Sequence, residues 1–118
     1  AMSAAGGDVT KEDVGGVGFI GKLFDGLDPK ELRGLAEGYL TQADVVAVAT
    51  QVEGKASVVV GVAKRAQDRF SAVTLVQAAV SALGGKGGGG RPDMAQGGGP
   101  DADKLTAALD TVKGLLAA

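Results

Sequence analysis

The 118-residue chain contains no cysteine, no histidine and no tryptophan. These absences exclude thiol nucleophiles, imidazole general bases and zinc sites of the usual cysteine and histidine kind. Fourteen acidic residues remain, but none shows an arrangement that suggests acid–base or metal chemistry. Several fall at expected turns and helix starts, where carboxylates serve as caps: Glu12, Asp13, Asp25, Asp28, Glu31, Asp101 and Asp103. We therefore expect no catalytic residue, no metal site and no cofactor in this chain.

Long apolar runs are also missing. No stretch approaches the roughly 20 residues needed to span a bilayer, and no basic segment followed by an apolar one marks a signal peptide. The sequence therefore predicts a soluble, cytoplasmic protein without a membrane partner.

Hydrophobic patterning predicts an α/β fold. Strands are expected at 17–24, 43–51, 56–63 and, for a short one, 94–98; helices are expected at 29–41, at 71–83 and after Asp101. Asp28 followed by Pro29 is a strong start for the first of these helices. The middle two strands read as a hairpin that is apolar on nearly every residue, so helices should cover both faces of the sheet. The expected architecture is a small mixed sheet of about four to five strands flanked by about three helices.

The two ends of the chain differ in character. Residues 1–14 begin with Ala-Met-Ser, which is typical of an expression remnant, and continue without periodicity. We interpret them as a disordered lead or a helical remnant. Residues 15–118 are expected to form one globular domain, since this length can bury a core without disulfides or metal.

Glycine is concentrated between residues 84 and 99, where GGKGGGGRPDMAQGGG holds nine of the 21 glycines. Glycine lets the backbone approach another molecule and turn successive amide N–H groups toward one point. Lys86 and Arg91 supply cations within the same stretch. The pattern is consistent with an anion cradle, with a tight crossover or with a flexible linker, although the apolar-polar insert RPDMAQ is unlike ordinary linker filler.

Charge is unevenly distributed, although the net charge is only −2. The segment from Lys55 to Arg91 has six cations and one acid, a net of +5, whereas the rest of the chain has a net of −7. A basic segment leading into an amide-rich loop is the pattern expected of a polyanion site, although Lys64 to Arg69 could also be an ordinary solvated loop. Three Phe and one Tyr leave little for base stacking, so contacts to phosphate and sugar are favoured.

The string LGGKGGGGRPDMAQGGGPD, from Leu83 to Asp101, resembles a signature near the C-terminus of alanyl-tRNA synthetases, in the globular part of the region called C-Ala. The resemblance extends upstream through ADVVAVAT, EGKASVVVGVAKRA and the helix that begins DPKEL, and it covers roughly residues 15–116. The same region is similar to the DHH-associated domain of nucleases and oligonucleotide phosphoesterases. Those relatives have a GGGH loop, and Arg91 stands where their histidine would be.

The resemblance implies a non-catalytic tRNA-binding module that contacts the outer corner, or elbow, of tRNA and helps the aminoacylation and editing sites use one tRNA. It implies that ATP and zinc belong to other domains of a parent alanine-tRNA ligase. The implied partners are tRNA and those other domains. The resemblance also allows self-association, but no feature of this sequence supports it. The residues expected to bind nucleic acid are Lys64, Arg65, Arg69, Lys86, Gly87, Gly88, Gly89, Gly90, Arg91 and Gln96.

Two alternatives stay open at this point. The chain could be the substrate-binding half of a DHH-type phosphoesterase, in which the glycine loop would position a terminal phosphate. The glycines could instead only shape a crossover, with a function in docking onto the rest of the synthetase. The loss of the loop histidine and the longer RPDMAQ string favour the tRNA-binding interpretation over the phosphoesterase.

Overall fold

The computed structural model describes residues 12–14, 16–85 and 88–117. The described strands come in consecutive pairs, each followed by one helix, with short 3-10 turns at Lys64–Ala66 and Ala102–Lys104. The elements in chain order are β1 (Glu12–Val14), β2 (Val17–Asp25), α1 (Pro29–Tyr39), β3 (Val45–Val52), β4 (Lys55–Val62), α2 (Ala72–Ala82), β5 (Gly89–Arg91), β6 (Met94–Gly99) and α3 (Leu105–Ala117).

The described strands form one mixed sheet in the order β1-β2-β3-β4-β6-β5. Strands β2 and β3 are parallel and are joined through α1, and every other neighbouring pair is antiparallel. The β3–β4 hairpin is fully paired from Val45 with Val62 to Val52 with Lys55. Strand β6 adds to the far side of β4 after the chain has passed through α2 and β5. The β5–β6 hairpin therefore lies at one edge of the sheet.

The sheet separates two apolar clusters, as the nearly continuous apolar strands predict. Alternate residues of β3 point to opposite faces, so Val45 and Ala47 belong to one cluster and Val46 and Val48 to the other. Helices α2 and α3 cover the first cluster, and α1 covers the second. The helices therefore cover both faces of the sheet, as expected.

Helix α1 begins where the sequence predicts. The Asp28 carboxylate accepts a hydrogen bond from the Lys30 backbone N–H at 3.0 Å, and Pro29 occupies the first turn. Leu32 and Ala36 are fully buried against the sheet. The helix ends at Tyr39, two residues before the predicted end, since Leu40 and Thr41 already form the turn into β3.

The two helices on the opposite face match the prediction in position but differ in detail. Ser71 occupies the N-cap of α2, yet its side chain makes no capping hydrogen bond. Gly84 follows the helix with φ of 74°, the left-handed conformation expected of a C-terminal glycine. The spacing of Leu105, Leu115 and Leu116 in α3 predicts that all three face inward. Leu105 and Leu116 are buried, but Leu115 is 39% exposed, so the prediction for Leu115 is wrong. A 3-10 turn separates Asp101 from α3, which begins at Leu105.

The sheet has six described strands rather than the four to five expected. The additional strands are β1 and β5, each three residues long. Strand β1 lies within the segment expected to be a lead, and β5 lies within the glycine-rich stretch. Neither strand has an apolar pattern of its own, so the sequence does not predict it. Each is a strand because it pairs with a longer neighbour.

Candidate nucleic-acid interface

The glycine-rich stretch ends in a tight β5–β6 hairpin with Pro92 and Asp93 at its turn. The Val62 backbone N–H donates a hydrogen bond to the Asp93 carbonyl at 2.9 Å, so Asp93 faces β4. Successive residues of a strand direct their N–H and C=O groups to opposite sides. The N–H and C=O groups of Met94 therefore point away from β4 and toward Arg91. By the same alternation, Gly89 pairs with Gln96. The intervening Gly90 therefore turns its N–H to the open edge of the sheet.

Close packing requires several of these residues to be glycine. A Cβ on Gly98 would lie 2.3 Å from the Ala56 carbonyl oxygen, and one on Gly99 would lie 2.5 Å from the Leu83 carbonyl oxygen. Gly90 has φ of 150°, and a Cβ there would lie 2.6 Å from the Met94 carbonyl oxygen. Such contacts do not occur in real proteins without movement, so part of the glycine signature serves to bring backbone segments together.

Two of the expected cations meet beside this hairpin. Lys64, in the turn after β4, and Arg91, at the end of β5, line one hollow of about 520 Å³ on the surface. Glu37 of α1 and Asp93 of the hairpin turn line the same hollow. The Arg91 Nε lies 3.5 Å from the Asp93 Oδ1. An exposed ion pair of this kind is weak, so Asp93 does not prevent Arg91 from binding another anion. This hollow is therefore polar and of mixed charge.

Three further expected residues share a neighbouring hollow of about 120 Å³. Gly89, Gly90 and Gln96 line it together with Arg33 of α1. Gln96 is exposed, and its side chain makes no hydrogen bond with a described residue. The β5–β6 hairpin and α1 together thus bring the Gln96 carboxamide and the Arg33 guanidinium to one small surface beside Gly89 and Gly90.

The remaining expected residues are placed differently. Arg65 forms an exposed ion pair with Asp44, whose other carboxylate oxygen accepts a hydrogen bond from the Gly18 N–H at 2.9 Å. This cation is therefore already paired within the chain. Arg69 stacks its guanidinium 5.2 Å from the Phe70 ring and lines a separate hollow near Leu115 on the α2 and α3 face.

Gly88 is half-buried against α2: a Cβ there would lie 3.0 Å from the Gln96 carbonyl oxygen and 3.2 Å from Val76 Cγ1. Lys86 and Gly87 lie outside the described residues.

Arg33 and Lys30 were not singled out from the sequence. Both are exposed on α1, and Lys30 lines a third hollow of about 310 Å³ that also includes Gln96. A spacing of three residues places the two cations on the same side of the helix. The spacing of Lys30, Arg33 and Glu37 along the sequence is the signal from which a charged surface on this side of α1 could have been predicted.

The structure offers no sign of a metal centre or of a membrane segment in the part of the chain it describes. Residues 12–14, 16–85 and 88–117 contain no group of three or more Asp or Glu side chains able to hold a metal ion. No helix within these ranges is long and apolar enough to span a bilayer.

Comparison with known proteins gives a consistent picture. The family model described as the DHHA1 domain matches residues 16–118. The chain is 57% identical over 110 residues to an alanine–tRNA ligase of Chelativorans sp. and 55% identical over 118 residues to one of Granulibacter bethesdensis. These alignments cover 91% and 98% of this chain but only 12% and 13% of the relatives, so the chain spans about an eighth of their length.

A solved structure agrees with the fold. The crystal structure of the C-Ala domain from Aquifex aeolicus alanyl-tRNA synthetase superposes with a TM-score of 0.86 at 34% identity, covering 92% of this chain and 99% of that domain. The expected family resemblance is therefore confirmed. The chain belongs to the DHHA1 domain family, and within it to the C-Ala domains of alanyl-tRNA synthetases.

Proposed function

We propose that this chain is a non-catalytic, cytoplasmic tRNA-binding module of an alanyl-tRNA synthetase. In this proposal it contacts the tRNA elbow and helps the aminoacylation and editing sites of the parent alanine-tRNA ligase use the same tRNA. ATP and zinc would be bound by other domains of that parent, with which this module would also interact.

The observation that carries the proposal is the arrangement at the edge of the sheet. The β5–β6 hairpin presents the Gly90 N–H outward, with Arg91 and Lys64 in the adjoining hollow. Cations and backbone amides are the groups that hold phosphate oxygens without reading a base. Such contacts suit a module that recognises the shape of a folded RNA.

The DHH-type phosphoesterase is less well supported than the tRNA module. Arg91 replaces the loop histidine of that class, and the relatives at 57% and 55% identity are alanine–tRNA ligases. Docking of the chain onto the rest of a synthetase remains compatible with tRNA binding.

A salt-titrated binding comparison tests the proposal. The affinity of the chain for folded tRNA is measured beside its affinity for single-stranded RNA of equal length. The tRNA module predicts a preference for the folded molecule, whereas the phosphoesterase predicts a preference for the single strand. An absence of binding to either RNA would overturn the proposal.

The double variant Lys64→Ala with Arg91→Ala then tests the named contacts. It should reduce the slope of log affinity against log salt by about two units, since each phosphate contact contributes about one. A control double variant, Lys22→Ala with Lys104→Ala, removes the same charge away from the hairpin and should leave the slope almost unchanged. Equal slopes for both double variants would rule out phosphate contacts at Lys64 and Arg91.

A further inference from the structure

A trough runs along the sheet between α1 and β6. Helix α1 packs over β3 and β4, which leaves β6 and the edge strand β5 beside it on the same face. The hollow lined by Lys30 and the hollow lined by Arg33 both include Gln96, so they adjoin at this residue. We call this combined surface the α1–β6 trough; it is bounded by Lys30, Arg33, Gly89, Gln96 and Gly98.

Helix α1 and strand β6 form the two sides of the trough. Lys30, Arg33 and Glu37 follow one side of α1 over seven residues, about 10 Å at the rise of a helix. Met94, Gln96 and Gly98 are alternate residues of β6 that share one face over about 14 Å. The hollows bring Lys30 beside Gly98 and Glu37 beside Met94, so α1 and β6 run in opposite directions. The trough is therefore long enough for a short extended polymer segment.

The trough itself is positively charged, because Glu37 lines the neighbouring hollow beside Arg91 and not the trough. Among the described residues, Lys30 and Arg33 are the charged groups that line its two hollows, and no carboxylate lines either. Neither cation forms an ion pair with a described residue. Arg65, by contrast, is held by Asp44. Two unpaired cations side by side are free to bind an external anion.

The uncharged residues of the trough favour a sugar and phosphate ligand. The Gln96 carboxamide can both donate and accept a hydrogen bond, as a ribose hydroxyl can. No described aromatic side chain lines the trough, which argues against stacking of bases. Gly89 shares the trough face with Gln96, and a Cβ there would meet no atom within 4 Å. Packing within the fold therefore does not require glycine at position 89, and the absence of a side chain there leaves this side of the trough open.

We propose that the α1–β6 trough binds a sugar–phosphate segment of RNA, with Lys30 and Arg33 contacting phosphates and Gln96 contacting a ribose hydroxyl. The proposal rests on the proposed tRNA-binding function and names a part of its interface. It extends the interface from the glycine-rich stretch to α1, a helix far away in sequence.

Two variants test the trough by different means. Lys30→Ala with Arg33→Ala removes its cations at exposed helix positions, where alanine preserves the helix. Gly89→Glu places a carboxylate in the trough at a position that has room for a side chain. The matched controls are Lys22→Ala with Lys104→Ala, and Gly114→Glu, which lies in α3 on the opposite face with equal room for a Cβ.

Binding is measured by fluorescence anisotropy of labelled folded tRNA at several salt concentrations, after thermal melts have shown that each variant folds. We expect both trough variants to weaken binding at least about tenfold, and the double variant to lower the salt slope by about two units. Both controls should stay within about twofold of the unmodified chain, since their charge changes lie away from the trough.

The outcomes separate this inference from the proposed function. If the unmodified chain binds tRNA and the trough variants bind equally well, while Lys64→Ala with Arg91→Ala weakens binding, the trough is wrong and the function stands. If both controls weaken binding as much as the trough variants, the effect is one of net charge and the trough is again wrong. If the unmodified chain does not bind tRNA, both proposals fail.

Discussion

Two glycines near β6 should respond in opposite ways to the same added methyl group. A Cβ on Gly85 would lie 2.2 Å from the Gly98 carbonyl oxygen and 2.8 Å from Val80 Cγ1. A Cβ on Gly89 would meet no atom within 4 Å. Gly85→Ala should therefore destabilise the fold, and Gly89→Ala should not.

The size of the difference follows from the geometry. An ordinary Cβ contact begins at 3.4 Å, so Gly85→Ala would force the chain after α2 and strand β6 apart by about 1 Å. The Gly98 oxygen belongs to the backbone and cannot rotate away, so we expect a loss of about 2–3 kcal/mol in the free energy of unfolding, typical of overpacking. Gly89→Ala should change it by at most about 1 kcal/mol, in the stabilising direction, because alanine restricts the unfolded chain.

Urea denaturation followed by far-ultraviolet circular dichroism measures both changes. Thermal melts should show a fall of roughly 10 °C for Gly85→Ala and none for Gly89→Ala. If the two variants are equally stable, close backbone packing does not explain the glycines around Gly85.

Further predictions concern polar side chains that hold neighbouring segments together. Thr50 is fully buried, and its hydroxyl donates to the Leu27 carbonyl at 3.0 Å and accepts from the Leu27 N–H at 3.1 Å; Thr50→Val should cost about 1–3 kcal/mol in urea denaturation, and Thr50→Ser should recover most of the loss. Asp44→Ala leaves the Gly18 N–H without its carboxylate acceptor and should cost about 1–2 kcal/mol. Arg65→Ala removes only an exposed ion-pair partner and should cost less than about 1 kcal/mol. A larger loss for Arg65→Ala than for Asp44→Ala would contradict this ranking.

The elements predicted correctly are those with strong local signals. Asp28 and Pro29 determine where α1 begins, and the apolar runs on both sides of Glu53 and Gly54 predict the β3–β4 hairpin. These signals lie within the element that they specify. They therefore need no knowledge of the rest of the fold.

The missing strands depend on partners elsewhere in the chain. Strand β5 has the sequence Gly-Gly-Arg, which has no strand preference, and it forms because the tight turn at Pro92 and Asp93 places it against β6. Strand β1 likewise pairs with the longer β2, with Val14 opposite Val17. Pairing of this kind cannot be recognised from composition alone.

The candidate site shows the same division. The sequence identified Arg91, Lys64 and Gln96 as cations and amides near the glycine-rich stretch, and the structure brings them to adjoining hollows. It could not show that Asp44 engages Arg65, or that Arg33 lies beside Gly89, because both depend on contacts between distant segments. The use of these residues in RNA binding stays a prediction.

Amide chemical-shift mapping tests the central claim most directly. A ¹⁵N-labelled sample of the chain is titrated with unlabelled folded tRNA, and the shifted resonances are assigned. The account predicts that Gly89, Gly90, Gln96 and the first turns of α1 shift together and that the shifts diminish as salt is added. Shifts confined to α2 and α3, with the α1 face unchanged, would contradict it.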